Sequence, residues 1–152
     1  VLGGGKVGHA ALAALKRLSP SGVRNRRRER EAVDTQVERL EIDLASVDAL
    51  VSSLSGGNQQ KVVIGNWLND DPTVLFFDEP SRGIDVAAKQ HIFRIIWDLS
   101  AEGISSIFVS PELEELLEVC HRILVMRSGE ITEEVDPEQI SLSDLYARCM
   151  EE

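Results

Sequence analysis

Charged residues alternate with Val33, Val37, Leu40 and Leu44 between Asn25 and Leu44, which predicts an amphipathic helix with a largely solvated outer face. Val62, Val63, Ile64, Trp67 and Leu68 recur at helical spacing behind Ser55, a residue type suited to cap that helix. Val74-Leu75-Phe76-Phe77, opened by Pro72 and closed by Asp78-Glu79-Pro80, predicts a short buried strand. Asp85 then caps an expected helix over Val86 to Leu99, with Ile92, Phe93, Ile96 and Leu99 as its core-facing stripe and Ala101-Glu102-Gly103 as its stop. Ile104 to Ser110 predicts a second buried strand, and Glu112 to Val119 a helix opened by Pro111 with acids in its first turn. Arg122 to Met126 and Glu130 to Val135 predict a third strand and its hairpin partner, joined by Arg127-Ser128-Gly129. Asp136-Pro137 turns the chain into a closing helix, Leu142 to Met150.

Upstream, Ala10 to Leu18 predicts a short helix ended by the turn cluster Ser19-Pro20-Ser21-Gly22, and Ser46 to Leu50 allows a further helical turn. Strand, helix, strand, helix, strand is the α/β order of a parallel sheet flanked by helices, here with a small helical subdomain ahead of it. No internal repeat or low-complexity tract interrupts it.

Composition narrows the function classes. The 152 residues suffice for one domain with a core, at 43% hydrophobic content. Acids outnumber bases 26 to 16, giving a formal charge of -10, and this argues against general nucleic-acid binding. Arg24 to Arg30 is the one basic run, and Glu29 and Glu31 beside it favour a solvated helix face over an anion-binding one. No stretch reaches the ~18 apolar residues of a membrane span and no signal peptide is visible, so a cytoplasmic chain is expected. Cys120 and Cys149 lack metal-ligand spacing and are expected as free, buried thiols.

The candidate chemistry lies between Leu54 and Asp85. Gly56 and Gly57 leave backbone N–H groups uncovered at a helix start, where the dipole favours a phosphate. Asp78 and Glu79 end a strand at the edge where open α/β sheets bind ligands. Taken alone, such an acid pair reads as solvated. The earlier glycines, Leu2-Gly3-Gly4-Gly5-Lys6-Val7-Gly8, do not close with Gly-Lys-Ser/Thr and follow no apolar strand, so Val1 to His9 is expected as a connector rather than a phosphate loop.

Leu54-Ser55-Gly56-Gly57-Asn58-Gln59-Gln60 resembles the signature motif of ABC transporter ATPases, Val74 to Glu79 their Walker B strand, and Ser81-Arg82-Gly83-Ile84-Asp85 their D-loop. The Asn-Gln-Gln-Lys continuation and the Arg-Gly-Ile-Asp turn are similar to the second ATPase domain of the double-domain subunits that power import of simple sugars. The resemblance, from about Val37 to Glu134, implies a partial P-loop NTPase fold. Residues 1–70 would hold the signature subdomain with its connector, and 71–152 the C-terminal part of the ATPase core. It implies ATP and Mg²⁺ as cofactors in a complete, paired assembly. Asp78 would hold the metal, since Mg²⁺ binds protein through one or two carboxylates and keeps several waters, and Glu79 would polarise the attacking water. Ser55, Gly56, Gly57 and Gln59 would meet the ATP phosphate in trans, with Ser81 and Asp85 at the shared interface. The implied partners are a second ATPase domain, membrane permease subunits and, indirectly, a sugar-binding protein, at the cytoplasmic face of the membrane.

Two departures stand out. The phosphate loop and the Gln-containing loop expected ahead of the signature are missing, and the chain starts at Val1 in what reads as the middle of a domain, so a fragment inactive by itself is expected. At the position of the family's switch histidine stands Pro111, whose ring cannot hydrogen-bond a γ-phosphate. His91 and His121 are expected to be structural or exposed. Two rival readings remain: an ABC ATPase of a non-transport system, and a degenerate interaction module that does not turn over nucleotide.

Overall fold

The computed structural model describes residues 26–150; the expected connector, the Ala10–Leu18 helix and the turn after it lie outside the described residues. Helix α1 (Arg26–Arg39) carries the described part of the basic run. Arg27 pairs with Glu31 at 2.9 Å and Arg30 with Asp34 at 3.2 Å, each one helical turn on and exposed, as a solvated face requires.

Helix α1 stops before Leu44 for a local reason. Ile42 N–H donates to the Val37 carbonyl at 2.9 Å and Glu41 N–H to Glu38 at 3.2 Å, while Glu41 takes φ 49°. This is a Schellman ending, with glutamate where glycine is usual. The Glu41 carbonyl is held by Lys61 Nζ at 2.9 Å. Lys61 is only 6% exposed; burial pushes its pKa down, against the opposing pull of Glu41 and Asp43.

After a single 3-10 turn at Val51–Ser53, helix α2 (Gly56–Leu68) begins. Strand β1 (Val74–Asp78) pairs in parallel with β2 (Ser105–Val109), and helix α3 (Val86–Ala101) connects them. Phe77 faces Phe108, and Asp78 faces Val109. Helix α4 (Leu113–Val119) follows, then the antiparallel pair β3 (Ile123–Arg127) and β4 (Glu130–Val135), and helix α5 (Leu142–Met150). The third strand thus pairs with its hairpin partner, and the parallel sheet has two strands among the described residues.

One apolar cluster runs from Leu40 and Ile42 through Val62, Ile64 and Leu68 to Leu75, Phe77, Ile92, Phe93 and Leu99. Phe93 meets Phe108 edge to face with centroids 5.9 Å apart. Full burial of Ile92 and Phe93 contributes about 1.5–3 kcal/mol each. A second cluster joins Ile123, Val125, Val135 and Leu145.

Among the described residues the two parallel strands are covered on one face only, where the sequence predicts both to be buried. Phe76 is 71% exposed, and Val74, Ile107 and Val109 lie on the same open face. Their continuous apolar runs have the composition of strands buried on both sides. Cys149 is likewise exposed rather than buried, whereas burial pushes the Cys120 thiol up to about 11; both are free. Among the described residues no helix is long and apolar enough to cross a membrane.

Candidate functional site

The signature segment folds as its residue types dictate. Ser55 is extended, at φ -60° and ψ 156°, and its Oγ accepts from Asn58 N–H at 3.4 Å and from Asn58 Nδ2 at 3.1 Å. Both of these bonds are accepted, so the hydroxyl proton of Ser55 remains to be donated outward. Gly56 and Gly57 open helix α2, where backbone N–H groups have no intrahelical acceptor. Gln59 turns inward instead, its Nε2 donating to the Leu54 carbonyl at 2.9 Å.

Gly56 and Gly57 also have a packing reason to be glycine. A Cβ at Gly57 would stand 2.5 Å from Ala88 Cβ, and one at Gly56 would stand 3.1 Å from Ile84 Cγ2. The signature helix start therefore lies directly on the Ile84–Ala88 segment, with Asp85 between them capping α3 through Ala88 N–H at 2.9 Å.

At the other end of that segment, β1 delivers the acid pair. Asp78 is exposed, and no ion pair engages it among the described residues. Glu79 breaks from the strand at φ 46°, a left-handed conformation costing about 1–3 kcal/mol for a residue with a Cβ. It is held there by its N–H to the Val109 carbonyl at 2.9 Å, and its own carbonyl accepts from Arg82 N–H at 3.1 Å. Arg82 also pairs with the Glu79 carboxylate at 3.0 Å. The next turn needs a left-handed third residue, supplied by Gly83 at φ 74°.

Glu79, Ser81, Arg82, Gly83, Ser110, Pro111 and Glu112 line one open cleft of about 400 Å³. The acid after β1, the turn that follows it and the segment after β2 thus converge, although Pro111 is distant in sequence from Glu79. The signature glycines abut the far end of the same turn without lining the cleft.

Sequence reasoning missed Glu115, treating it as one of several dipole-favoured acids. Its carboxylate is buried at the end of a network: Ser81 Oγ donates to Oε2 at 2.7 Å, Ser110 Oγ donates to the same oxygen at 2.6 Å, and Lys89 Nζ stands 3.2 Å from Oε1. Burial pushes the Glu115 carboxyl up, but the hydroxyls of Ser110 and Ser81 and the Lys89 ammonium outweigh it and hold the pKa below the ordinary range. Lys89 is shifted up, chiefly by its bond to Glu115 and against burial, with Glu112 adding to it. The one available signal was position, since Glu115 is one helical turn before buried Val119. His91 and His121 are both exposed and outside the cleft.

A hard cation and a nucleotide suit these groups. Asp78 offers a solvent-facing carboxylate of the kind Mg²⁺ takes singly, with phosphate and water completing its shell. Among the described residues no cluster of three or more potential metal ligands forms a cation cage.

The chain is similar in sequence and in fold to known proteins. The ABC transporter family model matches residues 7–82. The ribose import ATP-binding protein RbsA of Bacillus subtilis (strain 168) is 45% identical over 125 residues, covering 82% of this chain and 25% of the relative. Ribose import ATP-binding protein RbsA 2 of Mesorhizobium japonicum is 42% identical over 142 residues, covering 93% of this chain and 28% of the relative. The chain thus spans about a quarter of the length of these curated relatives. The structure of cbiO1 from Clostridium perfringens, part of the ABC transporter complex cbiONQ, superposes with a TM-score of 0.73 at 23% identity, over 95% of this chain and 54% of that one. A dimeric ATP-binding cassette in a post-hydrolysis state, bound to ADP and Pi, gives 0.71 at 19% identity, over 90% of this chain and 58% of that one. With the matched segment spanning the signature glycines, the acid pair and the first residues of the turn after it, the chain belongs to the ABC transporter family.

Proposed function

We propose that this chain supplies one half of the ATP-hydrolysing machinery of an ABC importer of simple sugars, working with a second ATPase domain that carries the phosphate-binding loop. The observation that carries this reading is the convergence of Glu79, the Ser81–Gly83 turn and the Ser110–Pro111 segment on one cleft, beside a signature helix start whose first backbone N–H groups have no intrahelical acceptor. Its relatives are named for ribose import, which supports the simple-sugar class.

In the paired assembly, the Ser55 hydroxyl and the N–H groups of Gly56 and Gly57 donate to the terminal phosphate of ATP held by the partner domain. Gln59, bound to the Leu54 carbonyl, shapes that loop from within and keeps its second amide proton for the phosphate side. Asp78 would hold Mg²⁺, which when bound would supply positive charge against the phosphate charge that develops during transfer. Glu79 accepts a hydrogen bond from the attacking water and orients it. Ser81 and Asp85 lie at the interface between the two ATPase domains. Permease subunits engage the assembly at the cytoplasmic face of the membrane, and the sugar-binding protein acts through them. By itself, the 152-residue chain turns over no ATP.

ATP turnover by the complete subunit, assembled with its permease, tests this. Glu79→Gln should lower it by about 10²-fold or more, the contribution of a positioned general base. Unchanged turnover refutes the assignment. Pro111 at the cleft favours one second reading, a module that binds nucleotide without hydrolysing it. Under that reading the unmodified assembly itself shows ATP binding without turnover.

A further inference from the structure

The cleft has a keystone outside it. Ser81 and Ser110 both line the cleft, and both donate to the same Glu115 oxygen, at 2.7 and 2.6 Å. A serine hydroxyl has one proton to give, so neither can donate to a nucleotide or a partner while this arrangement persists. Their orientation is decided from behind the cleft wall. Glu115 itself is 1% exposed and does not line the cleft. Lys89 completes the link: it stands 3.2 Å from Glu115 and 3.2 Å from Glu112, a third cleft-lining residue. One buried carboxylate thereby ties the turn after β1, helix α3 and the segment after β2.

We propose that Glu115 is a positioning residue for ATP hydrolysis, fixing through Ser81 and Ser110 the distance between the Glu79–Arg82 turn and the Ser110–Glu112 segment. This rests on the reading of the cleft as an ATPase site. Nothing in the role requires contact with ATP. It requires an acceptor that takes two hydroxyl protons at one oxygen while a cation holds the other, which an ionised carboxylate does and an amide does not.

The test compares Glu115→Gln, Ser81→Ala and the double variant in the complete subunit assembled with its permease, measuring kcat, KM for ATP and Tm for each. Misplacing a catalytic group by a fraction of an ångström to an ångström lowers rate by about ten- to a hundredfold. Glu115→Gln is therefore expected to lower kcat about tenfold or more with KM within about twofold, and Ser81→Ala to add little to Glu115→Gln in the double variant, because the Ser81 bond acts only through Glu115. Native kcat in Glu115→Gln, whatever its Tm, overturns the proposal, as do losses that multiply in the double variant. Turnover that survives Glu79→Gln instead sinks the reading of the cleft. If Glu115→Gln does not fold, Ser81→Ala and Ser110→Ala are compared in the same way. Hydrogen exchange on the 152-residue chain gives a readout free of turnover: Glu115→Gln should raise exchange in residues 79–85 and 109–112 together. Protection unchanged in either segment also overturns the proposal.

Discussion

Gly57 and Ala88 approach so closely that a Cβ on Gly57 would lie 2.5 Å from that of Ala88. The signature motif and the helix after the D-loop therefore meet backbone to side chain, and the glycine has a packing role apart from any phosphate contact. Gly57→Ala should destabilise the fold by about 1–3 kcal/mol through overpacking. Ala88→Gly in the same chain should recover a large part of that loss, less about 1 kcal/mol for glycine in a helix. Urea titration of the two single variants and the double variant measures this coupling. Equal stability of Gly57→Ala and the native protein would show that the helices separate without cost.

Acid stability should report on Glu115. Its pKa is lowered on folding despite burial, through Ser110, Ser81 and Lys89, so its ionised form contributes stability above the ordinary glutamate pKa and loses it as the pH falls through the lower folded value. Lys89 is raised on folding, so its contribution is complete below the ordinary lysine pKa and is lost only as the pH rises through the higher folded value. Glu115→Gln should cost about 1–3 kcal/mol at neutral pH, and the gap should narrow below about pH 4. Unfolding curves of both proteins from neutral to acid pH check it. A gap constant across that range would mean that Glu115 is not ionised in the fold.

The β3–β4 hairpin offers a stabilising change. Ser128 and Gly129 both have positive φ, 48° and 85°, the signature of a two-residue type I′ turn. Asn precedes Gly in such turns because it tolerates the left-handed region. Ser128→Asn should stabilise by about 0.5–1 kcal/mol and raise Tm by a few degrees. A lower Tm would contradict the turn assignment.

How much was legible beforehand follows from the range of the interactions. The caps at Ser55 and Asp85 need only a side chain and an N–H three residues on, and both form as the residue types indicate. The hairpin and the apolar stripe of Ile92, Phe93, Ile96 and Leu99 are equally local patterns. The end of α1 was misread because Glu41 takes the position where glycine would have announced it. The open face of Val74 and Phe76 could not be read from composition, since an apolar run states what a strand can bury and not what lies against it. Glu115 was hidden for the opposite reason: its partners Ser81 and Lys89 come from segments well before it, and no spacing rule joins them.

The central claim is that this chain completes a phosphate site held by another ATPase domain. Ser55→Ala tests it most directly, because Ser55 lies outside the cleft and removing its hydroxyl introduces no clash. In the complete subunit with its permease, ATP turnover at the partner's phosphate loop should fall about tenfold or more, as loss of a transition-state donor implies. The N-cap itself accounts for only about 1 kcal/mol of stability. Turnover equal to that of the unmodified assembly, with the variant folded, would contradict the shared site.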